Sequence, residues 1–145
     1  MNKKLEKILW SIAIPGFGQL LNGKYVKGLV FILLEFVINV KSNLNEAIML
    51  SFQGDITEGI SITNFQWLMF YPCVYMFAIW DAYRDAGGRA SPLSFVLAAY
   101  LGTVGIVYST TLKVMGHLLG PVWLPMSLAL IGVLIGTLFG IKQHS

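Results

Sequence analysis

The chain has 145 residues, of which 56% are apolar and only 12% charged, with a net charge of +3. Charged residues are about half as frequent as in a soluble domain, and so short a chain has too much surface to hide that much apolar material from water. These totals argue for a bilayer as the solvent. They argue against a nucleic-acid binder, because no basic face carries interleaved aromatics.

Residues 3–14 are predicted to form an amphipathic helix, with Leu5, Ile8, Leu9, Ile12 and Ala13 on one face and Lys3, Lys4, Lys7 and Ser11 elsewhere. It is too short to cross a bilayer and is expected at the cytoplasmic interface, with Trp10 near the headgroups. Pro15 and Gly16 end or kink it. The basic start resembles a signal peptide, but the apolar run is broken and no cleavage site precedes a soluble domain, so the segment is read as retained. Residues 16–27 form a re-entrant or interfacial corner with an Asn22-Gly23 turn.

The first span is predicted from Tyr25 to about Asn45, with Lys41 snorkelling outward. Residues 43–63 carry Glu46, Asp55 and Glu58 and form the longest non-spanning loop, with a short interfacial helix over Ala47–Phe52. The second span covers residues 64–83, with aromatics at both ends and a kink at Pro72. The third runs from Ser91-Pro92 to about Thr111. Lys113, Gly116 and His117 then form a short loop, and the fourth runs from about Pro121 to Ile141, ending in Lys142. With a cytoplasmic N-terminus, Lys3, Lys4, Lys7, Lys24, Lys27, Arg84, Arg89 and Lys142 lie inside and Lys41 and Lys113 outside. That positive-inside bias places both termini in the cytoplasm and the acidic loop outside.

The expected fold is therefore an all-α membrane protein of four spans with an N-terminal interfacial helix. Residues 1–90 form a helical pair and residues 91–145 a C-terminal hairpin.

Glu35 falls near the middle of the first span, where a carboxylate costs at least about 2.5 kcal/mol and must face protein or water. Gly28, Glu35, Asn39 and Ser42 share one helical face. Two readings stay open: a protonatable ion or proton site at Glu35 and Asn39, or a neutral Glu35 hydrogen-bonded to Asn39 or a neighbouring helix to fix packing. Asp81 ends the second span at the level of Lys24 and Lys27, and a salt bridge to either lysine would lock the hairpin. Gly132, Gly136 and Gly140 are spaced for close helix contact, and Ser94, Ala98 and Gly102 repeat the spacing in the third span. Packing of spans three and four within the chain is the default.

Cys73, the single cysteine, is read as a buried small residue and excludes an internal disulfide. His117 and His144 are too isolated for a metal site, no cofactor motif is present, and no nucleophile–base–orienter set can be assembled.

The run P-G-F-G-Q-L-L-N-G-K-Y-V-K-G from Pro15 to Gly28, followed by an apolar helix and then W-D-A-Y-R-D-A from Trp80 to Ala86, resembles the TM2 domain family over about residues 8–88. Bacterial members carry a P-G-x-G-Q-x-Y-x-G-x-x-x-x-G opening and a W/I-D-A/L-Y/F closing. This chain departs from the pattern at Leu21, where an aromatic is common, and in its long 43–63 insertion. Gly16, Gly18, Gly23, Gly28 and Asp81 match the family's glycines and acidic closing residue. The resemblance implies a pair of membrane helices and no activity.

The expected role is a non-enzymatic, multi-pass component of a bacterial cytoplasmic membrane. It would touch anionic lipids at the cytoplasmic face and act through helix contacts with itself or another membrane protein, as an oligomer or accessory subunit. The alternative is a small ion or proton channel or transporter subunit that uses Glu35. A membrane enzyme is a distant third.

Overall fold

The computed structural model describes residues 1–143, without the side chains of residues 141–143. His144 and the side chain of Lys142, counted above among the flanking cations, lie outside the described residues. The chain is mostly helical (76%). Its elements are α1 (Lys3–Ala13), α2 (Phe17–Leu21), α3 (Tyr25–Ser42), α4 (Leu44–Gln53), α5 (Ile56–Ile62), α6 (Phe65–Leu68), α7 (Tyr71–Asp85), α8 (Leu93–Tyr108), a two-stranded hairpin β1 (Lys113–Val114) and β2 (His117–Leu118), and α9 (Gly120–Gln143).

All-α is the architecture, but among the described residues the four predicted spans reduce to one helix long and apolar enough to cross a membrane. That helix is α9, over Gly120–Gly140, with mean hydropathy 2.1. The others are shorter than the apolar runs that suggested them, each for a local reason. α3 stops at Ser42, not near Asn45, because Asn43 takes a left-handed conformation (φ 59°) and opens α4 directly. The second span is not one kinked helix. Pro72 has no N–H for the carbonyl four residues back, and the element divides into α6 and α7, with Pro72 in the first turn of α7. α8 is apolar but ends at Tyr108.

The loop after α8 is a tight antiparallel hairpin. Met115 and Gly116 at its tip both have positive φ, as a two-residue turn of this kind requires. The predicted short helix in the outer loop is longer, as α4, and is followed by a second, α5.

α8 and α9 pack along their length, and α7 lies against α8 on the side facing α1, α2 and α3. α4 and α5 close one end of the bundle against the start of α9. There Trp123 Nε1 donates to the Ser51 carbonyl (3.1 Å), and the Phe52 and Trp123 rings meet at 4.6 Å. At this end Asn43 Nδ2 also donates to the Ile62 carbonyl, and the Asn64 N–H to the Ser42 carbonyl, pinning the start of α6 beside the end of α3.

The interior has an apolar core around Leu44, Leu68 and Ile106, with Ile38, Ile79, Val122 and Leu124 also buried, but far more large apolar side chains are left on the outside than a water-soluble bundle shows. Leu29, Leu33, Phe36 and Val40 on α3 and Leu130, Leu134 and Leu138 on α9 are all more than half exposed. Ser11, Gln19, Ser42, Ser51, Asp81 and Ser109 are buried. α1 follows the same rule. Its face with Lys4, Lys7 and Ser11 turns toward the protein, while Leu5, Leu9 and Ile12 point outward.

Candidate functional site

Gln19, Asn22 and Lys27 from the run Pro15–Gly28 meet the C-terminal half of α7 around the buried Asp81. Gly16 turns the chain out of α1 with φ 106° and lies so close to the Gly28 carbonyl and Ile32 that no side chain fits. Gly18 touches Ser11 Oγ, the Lys7 carbonyl and Ala82 Cβ, so α1, α2 and α7 converge on a position with no Cβ. That approach carries Gln19 into the core, where its Nε2 donates to the Ala78 carbonyl (2.7 Å) and to Asp81 Oδ2 (3.2 Å). Asn22 Nδ2 donates to the Ala82 carbonyl (2.8 Å). Both amides thus take carbonyls in the last turns of α7.

Asp81 is 2% exposed, and its charge is met from several sides. Lys27 Nζ stands 2.9 Å from Asp81 Oδ1 and 2.9 Å from Asp85 Oδ2. Arg84 Nη2 lies 3.4 Å from Asp81 Oδ1, and its guanidinium sits 4.4 Å above the Trp80 ring. Of the two lysines considered for Asp81, the structure brings Lys27 to it. Lys24 precedes the first turn of α3, exposed and in no ion pair among the described residues. Gln19 was not singled out from sequence. It is a lone amide in an apolar run, and the only signal was its place between glycines in the motif.

A second polar cluster lies further along α3. Glu35 faces the protein and accepts from Tyr71 Oη (3.2 Å), while its Oε2 is buried without a partner. Asn39 Nδ2 donates to Asn45 Oδ1 (2.9 Å), and its Oδ1 accepts from the Asn45 N–H. Tyr71 and Tyr75 stack at 5.4 Å, and Tyr75 Oη donates to the Ile12 carbonyl (2.7 Å), tying α1 to α7.

The glycines of α9 face α8. A Cβ on Gly132 would meet the Leu97 carbonyl and Ala98 backbone, one on Gly136 the Ser94 backbone, and one on Gly140 Ser91 at 3.4 Å. Gly102 faces Pro72 and Ala129, and Gly105, not noted from sequence, lies against Pro125. The small-residue faces are therefore occupied within the chain. Cys73 is exposed rather than buried. No three His, Cys, Asp or Glu side chains are grouped for a metal ion among the described residues. No protein-family model, curated protein or solved structure matches the chain.

Proposed function

We propose that this chain is a multi-pass membrane protein without catalytic activity, an accessory or oligomer-forming component that acts through helix contacts. One observation carries the reading: large apolar side chains line the outside, while Gln19, Asp81 and several serines are buried among the apolar core residues. Water penalises that arrangement and hydrocarbon does not. α3, the broken pair α6–α7, α8 and α9 are the four crossings. At about 1.5 Å per residue, α3 measures roughly 27 Å and residues 65–85 roughly 31 Å, near the thickness of a hydrocarbon core. The cations around α1 and the end of α7 then face the cytoplasm, in a bacterial membrane containing anionic lipid.

The resemblance to the TM2 domain family supports the same reading. Of the residues that match it, Gly16, Gly18, Gly28 and Asp81 interlock α2, α3 and α7, together with Gln19 and Asn22 of the same run, whereas Gly23 stands at an open turn. Lys27–Asp81 serves as the hairpin lock in this scheme.

The unpartnered Glu35 Oε2 favours a second reading, a cation or proton pathway through Glu35. Flux measured in vesicles holding the purified protein separates the two. The structural reading expects none above empty vesicles. Flux that disappears in a folded Glu35→Gln variant would replace it with the pathway.

A further inference from the structure

Two apolar clefts flank Phe77 on α7. One, of about 380 Å³, lies between α3 and α7 and is walled by Val26, Val30 and Phe31, with Lys27, Asp81 and Arg84 at one end. The other, of about 240 Å³, lies between α7 and α8 and is walled by Met76, Trp80, Phe95 and Val96. Phe77 lines both.

Arg84 stands at the same end of both clefts: it lines the first with Lys27, and its guanidinium rests on Trp80 of the second. Seven residues separate Phe77 from Arg84, which sets the charge roughly 10 Å toward the end of α7. α3 keeps the same order, with Lys27 in its first turn and Val30 and Phe31 further in. α8 places Phe95 and Val96 near its start beside the same end. The α3 and α7 walls thus run from a charged mouth to an apolar depth, and the α8 wall is apolar from its start.

We propose that this is a binding site for one diacyl phospholipid, an acyl chain in each cleft and the phosphate on Arg84. The guanidinium carries five N–H donors, and one of them is used, at 3.4 Å to Asp81. It is about half exposed, so the remaining donors reach the mouth. The nearby carboxylates do not bar a phosphate. Asp81 is 2% exposed, and both Asp81 and Asp85 accept from Lys27. Lys24 and Arg89, exposed and in no ion pair among the described residues, add positive charge to this end of the molecule. Asp81 and Asp85 match Lys27 and Arg84 in number, so Lys24 and Arg89 supply the surplus positive charge at this end that, above paired apolar clefts, favours a phospholipid over a neutral lipid or a free phosphate.

The proposal rests on the membrane reading above and is tested apart from it. Native mass spectrometry of the whole chain released from detergent would be run with diacyl phosphatidylglycerol, with diacylglycerol of the same chains, and with glycerol phosphate. The site predicts a one-to-one adduct with phosphatidylglycerol alone. Arg84→Gln, which keeps the Lys27–Asp81 pair, and Val30→Trp, which fills one cleft from a half-exposed position, should each weaken it roughly tenfold. Lys41→Gln at the far end of α3 should leave it unchanged. Equal retention of diacylglycerol, adducts indifferent to both variants, or no adduct from a protein that still needs amphiphile would overturn the site alone. A folded, monodisperse chain without any amphiphile would overturn the membrane reading with it.

Discussion

Asp81 gathers more interactions than any other side chain at the α2–α7 contact, and its partners differ in weight. Lys27 is 43% exposed on its side chain, so water screens part of the attraction. Gln19 is fully buried and supplies a donor that water cannot replace. Asp81→Asn should therefore cost about 2 kcal/mol, below the value for a wholly buried pair, read as a lower unfolding temperature in micelles. Gln19→Leu should cost about 1–3 kcal/mol, since it strips the Ala78 carbonyl and Asp81 of a donor. Lys24→Ala should change stability by less than about 0.5 kcal/mol, because the lysine is exposed and in no ion pair among the described residues. If Lys24→Ala proves as costly as Asp81→Asn, the lock has been assigned to the wrong lysine. The choice between the lysines was not legible in sequence. Both lie within one turn at the start of α3, and only the close approach of α2 to α7 at Gly18 decides which faces the acid.

At the scale of the element, the seam between α8 and α9 grades along its length. A Cβ on Gly136 would run into the Ser94 backbone, whereas one on Gly140 meets Ser91 at an ordinary contact distance. Gly136→Leu should force the helices apart, costing about 1–3 kcal/mol and weakening crosslinks between them. Gly140→Ala should be neutral or slightly stabilising, since alanine favours helix and the space exists. α1 hangs on fewer ties: Tyr75 to the Ile12 carbonyl, Lys4 Nζ to the Gly87 carbonyl (2.7 Å) and the Ser11–Gly18 contact. Tyr75→Phe should speed amide exchange in α1 and leave α8 and α9 unchanged. Periodicity exposed the two faces of α1 but not which one docks. The facing depends on Gly18 and Tyr75, which lie outside that helix. The early end of α3 at Asn43 and the break before Pro72 were equally hidden in continuous apolar runs, because a run measures greasiness and not where a backbone turns.

At the scale of the whole molecule, the sequence carried the balance of apolar and polar residues and the polar stripe on α3. The structure places Gly28 and Ser42 of that stripe in the interior, with Glu35 and Asn39 beside them. What length alone could not convey is that three of the four runs are too short or too charged to qualify singly as crossings. Their case rests on how they are assembled, with many large apolar side chains left on the outside of each. Spin labels placed one at a time at Leu33, Tyr100 and Leu134, three outward positions on three helices, test that assembly most directly in the vesicle-bound protein. A hydrocarbon-facing exterior predicts strong relaxation by dissolved oxygen and protection from a polar nickel chelate at all three. Ready access of the chelate to these positions would contradict it.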